Sequence, residues 1–382
     1  MSGFGLPLIL LLTWGYLVLS TFAALHFARR RRAARFVRDS AGEPVTVLKP
    51  LHGAEPGLVE NLRSFAAQDY GEFQLVFGVR ERRDGALPVA CALAAGLPGR
   101  DIEVIVDPHV SGSNLKVANL ENMMPAARHD LIVVADSDMR VAPDYLRIVT
   151  APLADSQTGI VTCLYKGVSN GGLWSLLAAM HINYSFMPGA IVGESLDIGG
   201  GCFGATIALR REVLDAIGGF ARLRNELADD HRMGSAVRAL GLKAVLSTCI
   251  VENRVSEPSF LSLWQHELRW ARTSRAMAPL GFAGSAIGHT TMMTALAVAF
   301  CASGGAAWGF VLISIVLRWI SAGLIARALN LPRRGLWLLP LRDALSFAVF
   351  LSSFCGRSVA WRDQIFRVEP SGRIRVEGDK PV

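Results

Sequence analysis

Closely spaced cysteines are missing from this sequence. Its six cysteines (Cys91, Cys163, Cys202, Cys249, Cys301 and Cys355) stand far apart, with no CxxC and no Cys/His run at metal-ligand spacing. That excludes a disulfide framework and a zinc site and fits a reducing compartment. Charge is also sparse, at 19% of residues against 51% hydrophobic ones. A net charge of +7 suits nucleic acid or an anionic membrane surface. The middle of the chain has no basic stripe interleaved with aromatics, and the arginines cluster beside apolar runs, so a lipid bilayer is the expected partner and nucleic acid is not. Internal repeats and low-complexity linkers are absent, which leaves one large domain with anchors.

Apolar chain is plentiful at both ends. Phe4 to Phe27 carries no charge and at about 1.5 Å per residue is long enough to cross a bilayer. "ARRRRAAR" follows at once, so the positive-inside rule puts the N-terminus outside and what comes next in the cytosol. A cleaved signal peptide would carry its basic cluster before the apolar stretch. Near the other end, roughly 280–303 and 306–328 each read as a span, joined by "ASGGA". Arg333 and Arg334 then mark a return to the cytosol. The last apolar stretch is interrupted by Pro340, Arg342 and Asp343, and its unbroken part is too short to span, which predicts a re-entrant or interfacial hairpin with the C-terminus inside. Arg318, mid-span, reads either as a functional charge or as a snorkelling one.

Between these ends, "VTVLKPL", "FQLVFGVRE", "IEVIVD", "DLIVVADSD", "GIVTCLY" and "KAVLST" alternate with helix-like stretches. This order predicts an α/β domain with a mostly parallel sheet, in which ligands sit beyond the carboxyl ends of strands. Three acidic sites fall there: Asp107 closing a strand, Asp136 and Asp138 one residue apart after the apolar run "LIVV", and Asp229 with Asp230. Two carboxylates that close call for a cation, a shared proton or solvent. Mg²⁺ or Mn²⁺ held by Asp136 and Asp138, with diphosphate oxygens and water completing its shell, satisfies the first option. Asp229 and Asp230 have two readings: stabilisation at a helix N-terminus, or one of them as general base. Downstream, Phe260, Leu263, Trp264 and Leu268 recur at helical spacing and Arg269, Arg272 and Arg275 every three residues. Such a helix can lie in the membrane interface, and Arg269 with Trp270 can equally meet phosphates and acceptor. His181, within the apolar run 171–193, reads as a satisfied or interfacial histidine.

As an ordered set, "VTVLKPLHGAEPGLVENLRSF", "VDPHVSGSNLKVANLENMMPAARHDLIVVADSDMRV", "GGGCFGATIALRREVLDAIGGF", "LADDHRMG" and "HELRW" resemble membrane-bound family 2-type glycosyltransferases. They are most similar to the ceramide glucosyltransferase family and its bacterial hopanoid biosynthesis-associated relatives. The resemblance runs from about Val45 to Met277 and includes the flanking apolar segments. It implies a nucleotide-diphospho-sugar transferase domain (GT-A, Rossmann-like) with transmembrane helices at both ends. The implied division is a transmembrane helix over 1–28, a cytosolic catalytic domain over 29–256, an interfacial helix over 257–279, two transmembrane helices over 280–330, and a hairpin with cytosolic tail over 331–382.

Carried over by position, the resemblance implies donor-binding roles for Asp107, Asp136, Lys116, Asn119 and Asp229, and makes Asp230 the catalytic base. Arg269 and Trp270 match the end of a Q/R-x-x-R-W motif, where His266 stands in place of Gln or Arg, with Gln265 beside it. Glu81, with Asp84 beyond it, falls where relatives carry an Asp that reads uracil. The implied reaction is an inverting, metal-dependent transfer from a UDP-sugar to a membrane lipid in a bacterial cytoplasmic membrane. UDP-N-acetylglucosamine and a hopanoid such as bacteriohopanetetrol are the expected pair. The alternatives are UDP-glucose with ceramide, a polyprenyl phosphate or growing polysaccharide as acceptor, and a scaffold or glycolipid-binding protein without turnover.

Overall fold

The computed structural model describes residues 5–34, 42–198, 202–302, 304–356, 358–361, 364–369 and 373–376. Arg35 and the tail beyond 376 lie outside them. The strand-like runs form one eight-stranded sheet: β1 Val45–Pro50, β2 Phe73–Val79, β3 Asp101–Val106, β4 Leu131–Val134, β5 Met139–Arg140, β6 Thr158–Ser169, β7 Ile207–Arg210 and β8 Lys243–Val255, in the order β3-β2-β1-β4-β7-β6-β8-β5. Pairing is parallel from β3 through β4 and between β6 and β8, and antiparallel where β7 and β5 join. It is a mixed sheet, parallel over the half that carries β1 to β4. β1, β2 and β4 are buried along their whole lengths, which explains their uninterrupted apolar runs. Truncating Val133 or Leu131 to alanine would remove methyls from a closed core, at about 2–4 kcal/mol each.

Chain order reverses direction about β1, flanked by β2 on one side and β4 on the other. The crevice outside the strand ends at such a switch point is where ligands bind, and Asp136 follows β4 there. The two-residue strand β5 then pairs Met139 with Asn253 of β8, so the segment carrying Asp136 and Asp138 crosses from the centre of the sheet to its edge. Ser358–Trp361, Gln364–Val368 and Ile374–Val376 form a separate three-stranded antiparallel sheet.

Among the described residues, four helical runs are long and apolar enough to cross a membrane: Gly5–Ala34, Leu173–Ser195, Gly305–Leu329 and Leu336–Ser353. Two of the expected boundaries change. The stretch expected as one span over 280–303 is instead Pro279–Gly288 followed by Thr290–Cys301, bent by 80°. Glycine-rich sequence resists a continuous helix here, and the bend packs tightly, since a side-chain carbon at Gly288 would meet Tyr16 at 3.3 Å. Over the last apolar stretch, one continuous helix stands where the hairpin is expected. Leu336–Ser353 runs on without reversal, because Arg342 and Asp343, which interrupt its hydropathy, are buried and ion-paired rather than solvated. Leu173–Ser195 is more than half buried and lies against β6, with Ile182–Phe186 wound as a π-helical turn.

Candidate active site

The site starts from two helix N-termini. The helix Leu115–Met123 is capped by Asn114, whose Oδ1 accepts from the backbone N–H groups of Lys116 and Val117. Its Nδ2 donates to the carbonyl of Glu226 at 2.8 Å and to Asp229 Oδ1 at 3.3 Å. One buried side chain therefore ties the start of this helix to the start of the next, Asp229–Ala239. Lys116, in the first turn, places its Nζ 2.6 Å from Asp136 Oδ1 and 3.7 Å from Asp229 Oδ2. Burial alone would push this lysine down; Asp136 and Asp229 outweigh it and hold the ammonium above its ordinary range.

Gly204 marks the meeting point. A side-chain carbon there would lie 3.1 Å from Asp136 Oδ2, 3.3 Å from Lys116 Nζ and 3.4 Å from Asp230 Oδ2. Asp136 and Asp230, 94 residues apart in sequence, thus border one small space. Asp230 Oδ2 accepts from the Gly204 N–H at 2.8 Å and its Oδ1 from the His231 N–H at 2.7 Å. Burial, then the neighbouring Asp229, raise Asp230 to about 6, against the opposing pull of Lys116. Both acids stand in the first turn of their helix, where its dipole favours negative charge, and Asp230 is turned toward Gly204.

Asp138 is the second perturbed acid. Its Oδ2 accepts from Asn253 Nδ2 at 2.7 Å, while its Oδ1 is buried without a hydrogen-bond partner. Burial, followed by Asp136 and Glu55, pushes it up to about 7. A buried carboxylate oxygen with nothing to accept from is an open ligand position. Among the described residues no group of three or more His, Cys, Asp or Glu forms a ready-made metal cage. A pair of carboxylates sharing an ion with a diphosphate does not need one, so Asp136 and Asp138 fit a divalent cation.

Other expected residues divide. Asp107 closes β3, three strands from β4, about 14 Å away by strand spacing; its Oδ1 accepts from the His109 N–H at 2.9 Å. Asn119 is buried and spends its side chain on the Gly78 carbonyl at 2.8 Å. That bond buttresses the end of β2. Glu81 is exposed just past β2, and Asp84 is occupied by the N–H groups of Gly53 and Ala86. His266 donates from Nδ1 to Glu257 Oε1 at 2.7 Å and packs edge-on against Trp270 at 4.4 Å. Burial would raise Glu257, but hydrogen bonds from His266 and Ser262 outweigh it and hold its carboxyl below the ordinary range.

Two contributors escaped the sequence reading. Lys49, fully buried in β1, donates to the Asp136 carbonyl at 2.7 Å and lies 3.7 Å from the centre of the Phe65 ring. Burial pushes it down to about 7. A lysine inside "VTVLKPL" was the available signal. Tyr165 stacks on Phe186 at 4.9 Å, and Phe186 meets Phe203 edge-on at 5.3 Å, which makes an aromatic wall next to Gly204. Burial and the charges of Asp230, Asp138 and Asp136 push the Tyr165 hydroxyl well up, with Arg269 opposing.

A strand-end acid cluster in a mixed α/β sheet, flanked by helices apolar enough for a bilayer, defines a membrane-associated α/β class. Within it, the chain belongs to glycosyl transferase family 21, whose sequence model matches residues 11–374. It is 24% identical to ceramide glucosyltransferase 3 of Caenorhabditis elegans over 92% of this chain and 78% of that protein. It is 26% identical to ceramide glucosyltransferase 1 of the same organism over 62% of this chain, where the match spans half of the relative's length. Among solved structures, a Pyrobaculum calidifontis mannosyltransferase in complex with GDP-Man and Mn²⁺ is 16% identical with a TM-score of 0.49, covering 91% of this chain and 99% of that one.

Proposed function

We propose that this protein transfers a sugar from a UDP-sugar to the hydroxyl of a membrane lipid, with inversion at the anomeric carbon. The observation that carries the reading is the convergence of Asp136, Lys116 and Asp230 on Gly204, at the strand ends and beside an aromatic wall. An alcohol is a poor nucleophile at neutral pH, so a base must take its proton as the bond from C1 to the UDP oxygen breaks. Asp230 is that base: its carboxylate is held by two backbone N–H groups and is raised toward neutrality. The lipid oxygen attacks C1 from the face opposite UDP, the hydroxyl proton passes to Asp230, and UDP departs, so an α-linked donor yields a β-linked product. Lys116 sets a fixed positive charge where the diphosphate would lie. Mg²⁺ or Mn²⁺, when bound by Asp136 and Asp138, would supply neutralisation of the leaving group's charge.

The apolar helices support a lipid acceptor, because a hydroxyl head can reach the acids while its tail stays in the bilayer. The proposed location is a bacterial cytoplasmic membrane with the catalytic domain in the cytosol. UDP-N-acetylglucosamine with a polyhydroxylated hopanoid is the proposed pair. The similarity to two ceramide glucosyltransferases favours UDP-glucose with ceramide as the second reading. Full-length protein incubated with each donor and each lipid, followed by mass spectrometry and determination of the anomeric configuration, tests both. A β-linked glycolipid requiring a divalent cation is expected; an α-linked product would overturn the role of Asp230.

A further inference from the structure

The last apolar helix carries two adjacent charges that reach two different parts of the molecule. Arg342, fully buried, donates from Nη1 and Nη2 to the two carboxylate oxygens of Glu267, each at 2.7 Å. Its Nε donates to Ser346 Oγ at 3.1 Å and its Nη1 also to the Leu177 carbonyl at 3.3 Å. Glu267 sits in the helix Phe260–Met277, between His266 and the pair Arg269 and Trp270. Asp343 accepts from Arg318 Nε at 3.1 Å and Nη2 at 3.2 Å, and that Nη2 also donates to the Tyr184 carbonyl at 2.8 Å. Tyr184 belongs to the π-helical turn Ile182–Phe186, the turn that delivers Phe186 to Tyr165 and Phe203.

Phe203 directly precedes the glycine whose N–H holds Asp230. Trp270, Tyr165, Phe186 and Phe203 all pack against one apolar cluster. Apolar side chains of the same size would fill these interior positions at no lower stability. A forked arginine meeting a carboxylate adds orientation, because both hydrogen bonds form in only one register of the two helices.

We propose that Arg342 and Asp343 are positioning residues that lock the last apolar helix to the two walls of the acceptor side. One wall is the His266–Arg269–Trp270 face, reached through Glu267. The other is the Tyr165–Phe186–Phe203 wall, reached through Arg318 and the Tyr184 carbonyl. The acceptor hydroxyl is thereby held at Asp230, so the inference rests on the lipid-transfer reading.

The test uses full-length protein in nanodiscs. Arg342→Lys keeps the charge and loses the fork; Glu267→Gln and Asp343→Asn keep the shape. Each is expected to raise KM for the lipid acceptor about tenfold or more, since small misplacements near reacting groups carry losses of that order. KM for the UDP-sugar and the slow hydrolysis of UDP-sugar by water should stay within about twofold, because the donor-side acids are untouched. Backbone amides of 260–277 should exchange faster in Arg342→Lys and Glu267→Gln, with β1 and β4 unchanged. The exchanged pair, Glu267→Arg with Arg342→Glu, should recover part of the acceptor KM. Donor and acceptor constants moving together, or unchanged exchange over 260–277, would overturn the proposal. Wild type that hydrolyses UDP-sugar yet glycosylates no lipid would instead remove the lipid-transfer reading, and the exchange measurement would still decide whether Arg342 holds that helix.

Discussion

Replacing Asp230 by asparagine separates the chemistry of the site from its architecture. Raising a carboxyl from its ordinary 3.8 to about 6 corresponds to about 3 kcal/mol against the ionised form. Because the folded value lies above the ordinary one, the native state holds the proton more tightly. The stabilisation this group contributes is complete below 3.8 and is lost as pH rises through about 6. The neutral amide introduced by Asp230→Asn carries no such penalty, but one of the two hydrogen bonds made by Asp230, from Gly204 or from His231, must then meet an amide N–H₂, a loss of about 1 kcal/mol. The ligand-free variant should therefore melt slightly lower than wild type at pH 4 and slightly higher at pH 8.

Transfer should behave differently. Loss of a general base removes about 10²–10⁴ in rate, equivalent to about 3–5 kcal/mol, and the fall of wild-type kcat below pH about 6 should vanish in the variant's residual activity. UDP-sugar affinity should stay within about threefold, because Lys116, Asp136 and Asp138 remain in place. The assay combines titration of UDP-sugar by calorimetry, product formation from lipid across pH 4–9, and melting over the same range. Transfer retained within tenfold, or donor binding lost as heavily as transfer, would refute the base assignment. Parallel melting curves would refute the raised pKa.

Other outcomes follow from the same geometry. Gly204→Ala puts a methyl against Asp136, Lys116 and Asp230 and should lower kcat/KM by about 10–100-fold while circular dichroism stays unchanged. Lys116→Met removes the cation that restrains Asp230 and should move the acid limb of the transfer profile upward by about one pH unit or more. Asp138→Asn should leave the fold intact and weaken Mn²⁺ binding by about tenfold or more, measured by electron paramagnetic resonance, since the variant offers no carboxylate at the open position. Arg272 of the helix Phe260–Met277 donates to the carbonyls of Cys355 and Ser358, which keeps the segment after the last apolar helix beside the catalytic side, so a reporter fused after residue 382 is expected to report the cytosol; exposure on the far side would overturn this placement.

Much of the catalytic domain follows from short-range pattern. Short, fully apolar runs such as "LIVV", alternating with helix-like stretches, read as buried strands covered on both faces, and a carboxylate just beyond one lies at that strand's end. Asp136, Asp138 and the pair Asp229 and Asp230 stand out from residue order and chemistry, the choice of Asp230 within the pair comes from the family resemblance, and the apolar ends stand out from hydropathy alone. What residue order could not supply was pairing across hundreds of positions. Arg342 and Asp343 look like interruptions of a span until Glu267 and Arg318 are brought against them. Asn119 gives no local sign of its bond to the Gly78 carbonyl, and Lys49 is an anomaly until Asp136 and Phe65 surround it. The reason is physical: burial of apolar surface depends on periodicity that a local stretch carries in itself, whereas the state of a charge depends on which distant partner the fold sets beside it.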